Sequence, residues 1–386
     1  MKSVFSKINA WFHLWVGIVT GAIVFIVSIT GAILVFEWEL RDWAYPERRA
    51  EAPAGAKQLP PSVLIPAAEA VMPGMHVHGI QYHVPGHAAE VTFHSDSVVY
   101  VNPYTGKVNG IVHKHDFITW VEMGHVHLWL PHEVGTKIVL YSTLIFFFLL
   151  LTGLVLWWPK KWNRHNIRNA FSIKWTAKIK RVNYDLHNVL GFYTLPVTLI
   201  MAYTGMYMGL GWVQKPSYWL ASGGKAMPEY YQPPSDTTNT HALPKWQVVD
   251  DVWRRSVNEY AAPKSAALLM GIPEDDERDA SIYVYTNMEG AYYQGHYFDQ
   301  YTGAKLEGGG VDVMPYDDAN LGDKLRRMNY SLHVGLIWGI PSKIIYCIGA
   351  LIAASLPITG FIIWWGKKKK QKRKKPANRP QQAVAS

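Results

Sequence analysis

Cysteine is nearly absent: the chain of 386 residues has one, Cys347. That count excludes a disulfide framework, a cysteine-ligated iron–sulfur cluster and a C-x-x-C-H attachment motif. Polar domains must therefore be held by their own apolar cores. No G-x-G-x-x-G follows a strand, so the chain is not expected to oxidise a nicotinamide cofactor by itself. No nucleophile, base and acid triad stands out. Acidic residues are missing from three stretches, 1–12, 159–184 and 366–386, which together hold nineteen of the 38 basic residues.

Long apolar runs are present instead. Residues 13–36, 138–158, 186–212 and 344–366 carry no Asp, Glu, Lys or Arg, and about 20 residues suffice to cross a bilayer core as a helix. The first run is too long for a secretion-signal core. It is followed by Glu37 and Glu39, not by a small-residue cleavage site, so it is expected to be retained. The short basic segments should be cytoplasmic, placing both termini inside and two long loops outside. The terminal KKKKQKRKK reads as a solvated flank that could meet acidic lipids or an acidic electron donor; nucleic-acid binding is not read from it.

The two outer segments share a plan. Residues 40–122 read as a helix, PSVLIPAAEAV, then strands in VHGIQYHV, AEVTFHS and SVVYVNPYTGKVNGIV. Residues 213–325 read as KWQVVDDVWRRSVNEYA, then ASIYVYT and GAYYQGHYFDQYTGAKLEG. Gly106 and Gly303 end matching turns that favour positive φ. The expected fold is an α-helical membrane protein with four spans and two outer α+β modules, arranged as a tandem duplication. Its segments are 1–39, 40–122, 123–158, 159–184, 185–212, 213–325, 326–366 and 367–386.

Histidines recur at matching registers. His13 and His187 open the first and third apolar runs, each seventeen residues before a Thr-Gly pair, Thr30-Gly31 and Thr204-Gly205. His127 and His333 precede the second and fourth, ten residues before Lys137 and Lys343. His13 lies six residues past Lys7 and His187 six past Arg181, about 9 Å along a helix in both cases. Depth therefore pairs His13 with His187 inside, and His127 with His333 outside. A lone histidine at such a depth is an ordinary interfacial residue; four at repeated registers point to ligation. Zinc wants three or four ligands, whereas a haem iron takes two axial ligands from facing helices. Gly17, Gly21, Gly31, Gly191 and Gly205 would admit a flat ring, or simply close helix packing.

The H-L-W-x-G at His13, the repeated T-G, the Y-T-G-K turn with its Y-T-G-A-K counterpart at Tyr301, and the W-W-P-K end of the second run resemble the PepSY-associated transmembrane family. Within it the chain is similar to the bacterial inner-membrane ferric-siderophore reductases of the ferrioxamine type. The resemblance implies four spans, two periplasmic PepSY-like modules and two non-covalent haems b. It implies one-electron reduction of a ferric siderophore, with a quinol or a separate cytoplasmic carrier as donor. It implies His13, His187, His127 and His333 as haem ligands; V-H-L-W-L selects His127, with His125 as the neighbouring alternative. Two other readings are a metal sensor or importer using His76, His78, His83 and His87 of MHVHGIQYHVPGH, and a protein-binding scaffold.

Overall fold

The computed structural model describes residues 4–238, 242–260, 267–288 and 290–374; the end of the basic tail, 375–386, lies outside them. The chain forms two units. A membrane unit takes Met1–Val35, Val121–Met206 and Ile340–Ser386, and a sheet unit takes Phe36–Trp120 and Tyr207–Gly339.

In the membrane unit four helices, Val4–Leu34, His132–Trp157, Ile179–Gly209 and Ile340–Lys368, are long and apolar enough to cross a membrane. The first span packs against the second and the fourth. Small residues permit this: a Cβ at Gly21 would lie 3.0 Å from the Pro357 side chain, so backbones approach closely without a hydrophobic driving force in lipid. The third span contains one π-helical turn at Leu186–Leu190. Trp157, ending the second span, stacks on Phe192 at 3.6 Å and donates its indole N–H to the Ala170 carbonyl at 3.0 Å. Asp185, fully buried, accepts from Arg181 at 2.7 Å and from the Lys174 amide at 3.2 Å. These contacts tie the basic loop to the spans.

The sheet unit corrects one expectation. The two outer segments do not build separate cores; they share one antiparallel sheet of eight strands. Its strands are β1 (Val77–Tyr82), β2 (Ala89–Phe93), β3 (Ser97–Val101), β4 (Val108–His113), β5 (Leu268–Gly271), β6 (Ile282–Thr286), β7 (Gln294–Phe298) and β8 (Lys305–Leu306). Their order is β4-β3-β2-β1-β5-β6-β7-β8. The two halves meet at β1 and β5, where Gly79 faces Gly271 and Tyr82 faces Leu268. The unsubstituted positions allow close approach: a Cβ at Gly79 would sit 2.6 Å from the Met270 carbonyl oxygen. Each half alone would leave an open strand edge with unmet backbone donors and acceptors, and pairing removes both edges at once.

Helices Pro61–Glu69 and Lys245–Arg255 cover one face, contributing Leu64, Ile65, Ala68, Val248, Val249 and Val252 to a core with Ile80, Val91, Met270 and Val284. Each fully buried Val, Leu or Ile contributes about 1.5–3 kcal/mol. Asp250 joins the two helices by accepting from Ser62 Oγ at 2.6 Å and the Ser62 amide at 3.1 Å.

The Y-T-G-K turn at residues 104–107 and the Y-T-G-A turn at residues 301–304 are built alike. Gly106 has φ +71° and Gly303 φ +68°. Asn102 Oδ1 accepts from the Tyr104 amide at 2.9 Å, and Asp299 Oδ1 from the Tyr301 amide at 3.0 Å. A side chain at either glycine would meet the covering helix, at Val63 in one half and at Val248 and Val252 in the other. Gly106→Ala and Gly303→Ala are each expected to cost about 1–2 kcal/mol, read as a lowered melting temperature of the detergent-purified protein. A melt unchanged from wild type would show that the turns do not need glycine.

Candidate functional site

Two side chains four residues apart on a helix lie on one face, and the first span presents Asn9 and His13 in this way. Asn9 Nδ2 donates to the Thr152 carbonyl at 3.2 Å, and His13 Nδ1 lies 2.9 Å from Thr152 Oγ1. The third span repeats the contact. Asn183 Nδ2 donates to the Thr359 carbonyl at 3.1 Å, and His187 Nδ1 lies 2.9 Å from Thr359 Oγ1. The glycine after each threonine makes room for the ring: a Cβ at Gly153 would be 3.2 Å from His13 Cε1, and one at Gly360 3.3 Å from His187 Cε1. Each Thr-Gly pair thus receives a histidine from another helix.

The two rings meet in an edge-to-face contact, with centroids 6.4 Å apart and planes at 87°. His187 stands in the π-helical turn, a local widening often found at functional sites. Gly17 and Gly21 continue the His13 face of the first span. They line an apolar groove with Phe25, Pro357 and Phe361, about 440 Å³ in volume.

A third clamp occurs at the other end of the first span. His125, on helix Phe117–His127, places Nδ1 2.9 Å from the Val27 carbonyl and 3.2 Å from Thr30 Oγ1. Gly31 is its seat: a Cβ there would lie 2.9 Å from His125 Cε1. His127, which the V-H-L-W-L pattern favours, is instead turned into the break between helices, Nδ1 2.6 Å from the Leu130 carbonyl. That break is tight, with Leu128 and Trp129 both at φ +56°. Pro131 precedes the second span as its N-cap. Of the two, His125 reaches the Thr30-Gly31 pair, while His127 closes the break between helices.

His333 lies in the last turn of helix Leu321–Val334, which Gly335 closes at φ +75°. Arg327, on the same helix and 2% exposed, anchors it by donating Nε to the Val311 carbonyl at 2.8 Å.

The histidines of MHVHGIQYHVPGH do not converge. His76 and His94 both approach Glu274, at 3.7 and 3.0 Å, and His78 packs on His94 at 5.0 Å. His83, buried, lies 3.2 Å from Glu90, and His87 3.1 Å from Asp42. Arg48 bridges those two carboxylates at 2.8 and 2.9 Å. Burial alone would raise the Glu90 carboxyl, but His83 and Arg48 beside it hold it below its ordinary range. Among the described residues, no three His, Cys, Asp or Glu side chains are placed to hold a metal ion.

The sequence reading did not single out Asn9 and Asn183. The signal was there: each stands four residues before its histidine, in N-A-W-F-H and N-Y-D-L-H.

No curated protein matches this chain. The family model described as the PepSY-associated TM region matches residues 10–367. With four apolar helices of spanning length and a match over nearly its whole length, the chain is a multi-pass membrane protein that belongs to the PepSY-associated transmembrane family.

Proposed function

We propose that the protein is a di-haem oxidoreductase of the bacterial cytoplasmic membrane that passes electrons outward to a ferric siderophore and so releases Fe(II). The observation that carries this reading is the His13–His187 pair. His13 and His187 would hold the group: their rings come within 6.4 Å between centroids, and imidazole nitrogens from facing helices are donors that a haem iron takes. The donor set fits as well: two imidazoles from facing helices, each held through Nδ1, with apolar space along the same face of the first span.

When bound, a haem would supply a one-electron carrier at that depth. The chain's own residues do the rest. Thr152, Thr359, Gly153 and Gly360 aim the rings, and the apolar spans exclude water. His125 is the outer candidate on geometry, and His333 its counterpart on sequence register. The chain then reads as a tandem duplication with both termini cytoplasmic and the sheet unit periplasmic, as the basic segments require. The basic loop 159–184 would face the donor, a quinol or an acidic cytoplasmic carrier.

Anaerobic mixing of dithionite-reduced protein with ferric chelates tests the reading. Loss of a b-type reduced spectrum on mixing is expected, with Fe(II) trapped by a colorimetric chelator. A purified protein without any haem spectrum would end the proposal. In a Cys347→Ala background, a membrane-impermeant maleimide applied to cells stripped of outer membrane should label Thr105→Cys and spare Ser172→Cys, both exposed positions. The reverse pattern would invert the electron path.

A further inference from the structure

We infer that Thr152 and Thr359 are positioning residues that hold His13 and His187 in the Nδ1–H tautomer, so that each presents a bare Nε2 lone pair and a strengthened donor; this rests on the haem reading above.

A hydroxyl has one hydrogen. That of Thr152 goes to the Leu149 carbonyl at 3.0 Å. That of Thr359 goes to the Ser355 and Leu356 carbonyls at 3.0 and 3.1 Å. Each Oγ1 therefore meets its histidine as an acceptor, and the hydrogen of that contact must sit on Nδ1. The third clamp supports the assignment independently. His125 Nδ1 is 2.9 Å from the Val27 carbonyl, which can only accept, and Thr30 Oγ1 sends its own hydrogen to the Ile26 carbonyl at 2.8 Å.

A neutral imidazole with Nδ1 protonated has its lone pair on Nε2, the only nitrogen then able to bind a metal. An acceptor on Nδ1–H raises the basicity of that lone pair. Asn9 and Asn183 serve the same end, since each holds the carbonyl of the threonine that its own helix's histidine must meet. One contact thus fixes helix register and ring chemistry together.

The test uses the purified holoprotein with Thr152→Val and Thr359→Val, which keep the branch and remove the acceptor, and the corresponding serine variants. Valine is expected to weaken haem retention roughly ten- to hundred-fold. A tenfold loss confined to the ferric form appears as a rise of about 59 mV in the midpoint of one haem, for one electron. Serine is expected to restore wild-type values. Valine variants with unchanged retention and unchanged midpoint would overturn the proposal. So would serine variants that behave like valine, because the methyl contact would then be what matters. If Thr359→Val does not fold, Thr359→Ala carries the same expectation. If the isolated protein holds no haem, the haem reading fails, yet the tautomer is still read from nitrogen-15 shifts of labelled histidines. Protonated Nε2 at His13 and His187 would then overturn this inference too.

Discussion

His13→Ala and His187→Ala should each lower the haem-to-protein ratio from about two to about one, measured as pyridine haemochrome against protein mass. On the haem reading either substitution would remove one of the two histidines that hold the group, and such ligation supplies much of what retains a haem that no thioether holds. Their rings meet with centroids 6.4 Å apart, so both variants are expected to lose the same haem. The double variant should lose no more than either single one. The haem that stays should still be oxidised by ferric chelate after chemical reduction, while turnover driven from the cytoplasmic side stops. Two singles that lose different haems, or a ratio still near two, would break the pairing.

The second large effect concerns the outer histidine. His125→Ala is expected to remove the haem that His13→Ala leaves, and His127→Ala to leave both bound. The reason is the clamp: His125 is seated on Gly31 and reaches Thr30, whereas His127 closes the turn at Leu130. Gly31→Ala should act like a weaker His125→Ala, because its Cβ would fall 2.9 Å from His125 Cε1 and a ring pinned at Nδ1 cannot yield without tilting. His333→Ala, from the sequence register, should share the His125 phenotype. Haem loss in His127→Ala with full retention in His125→Ala would restore the assignment favoured by V-H-L-W-L.

These particulars show where sequence reading succeeds. Four spans were legible because bilayer thickness imposes a length and an apolarity that no other role demands. Gly106 and Gly303 were legible because only glycine enters the positive-φ region freely. His13 and His187 were legible because they stand in near copies of one helix. The choice between His125 and His127 was not. His125 lies 27 residues before Thr152 and His127 lies 25, while His333 lies 26 before Thr359, so spacing falls midway. A break at Leu128 and Trp129 with positive φ turns His127 to the Leu130 carbonyl, and no composition rule announces such a break in residues of that type.

By itself, then, the sequence determined the membrane spans, the signed charge of their flanks, the two turn glycines and the matching registers of His13 and His187. Each follows from a local requirement: bilayer length, the charge bias of the flanks, backbone sterics, helical register. Only the tertiary structure decided that the two outer segments form one sheet. The strand that joins them, β5, is the short apolar LLMG at Leu268–Gly271, with no alternation of polar and apolar residues to mark it. Its strand character comes from β1 and β6 on either side. Pairing between segments nearly two hundred residues apart satisfies two edges that neither half could satisfy alone, and that demand is written in no single stretch of the chain.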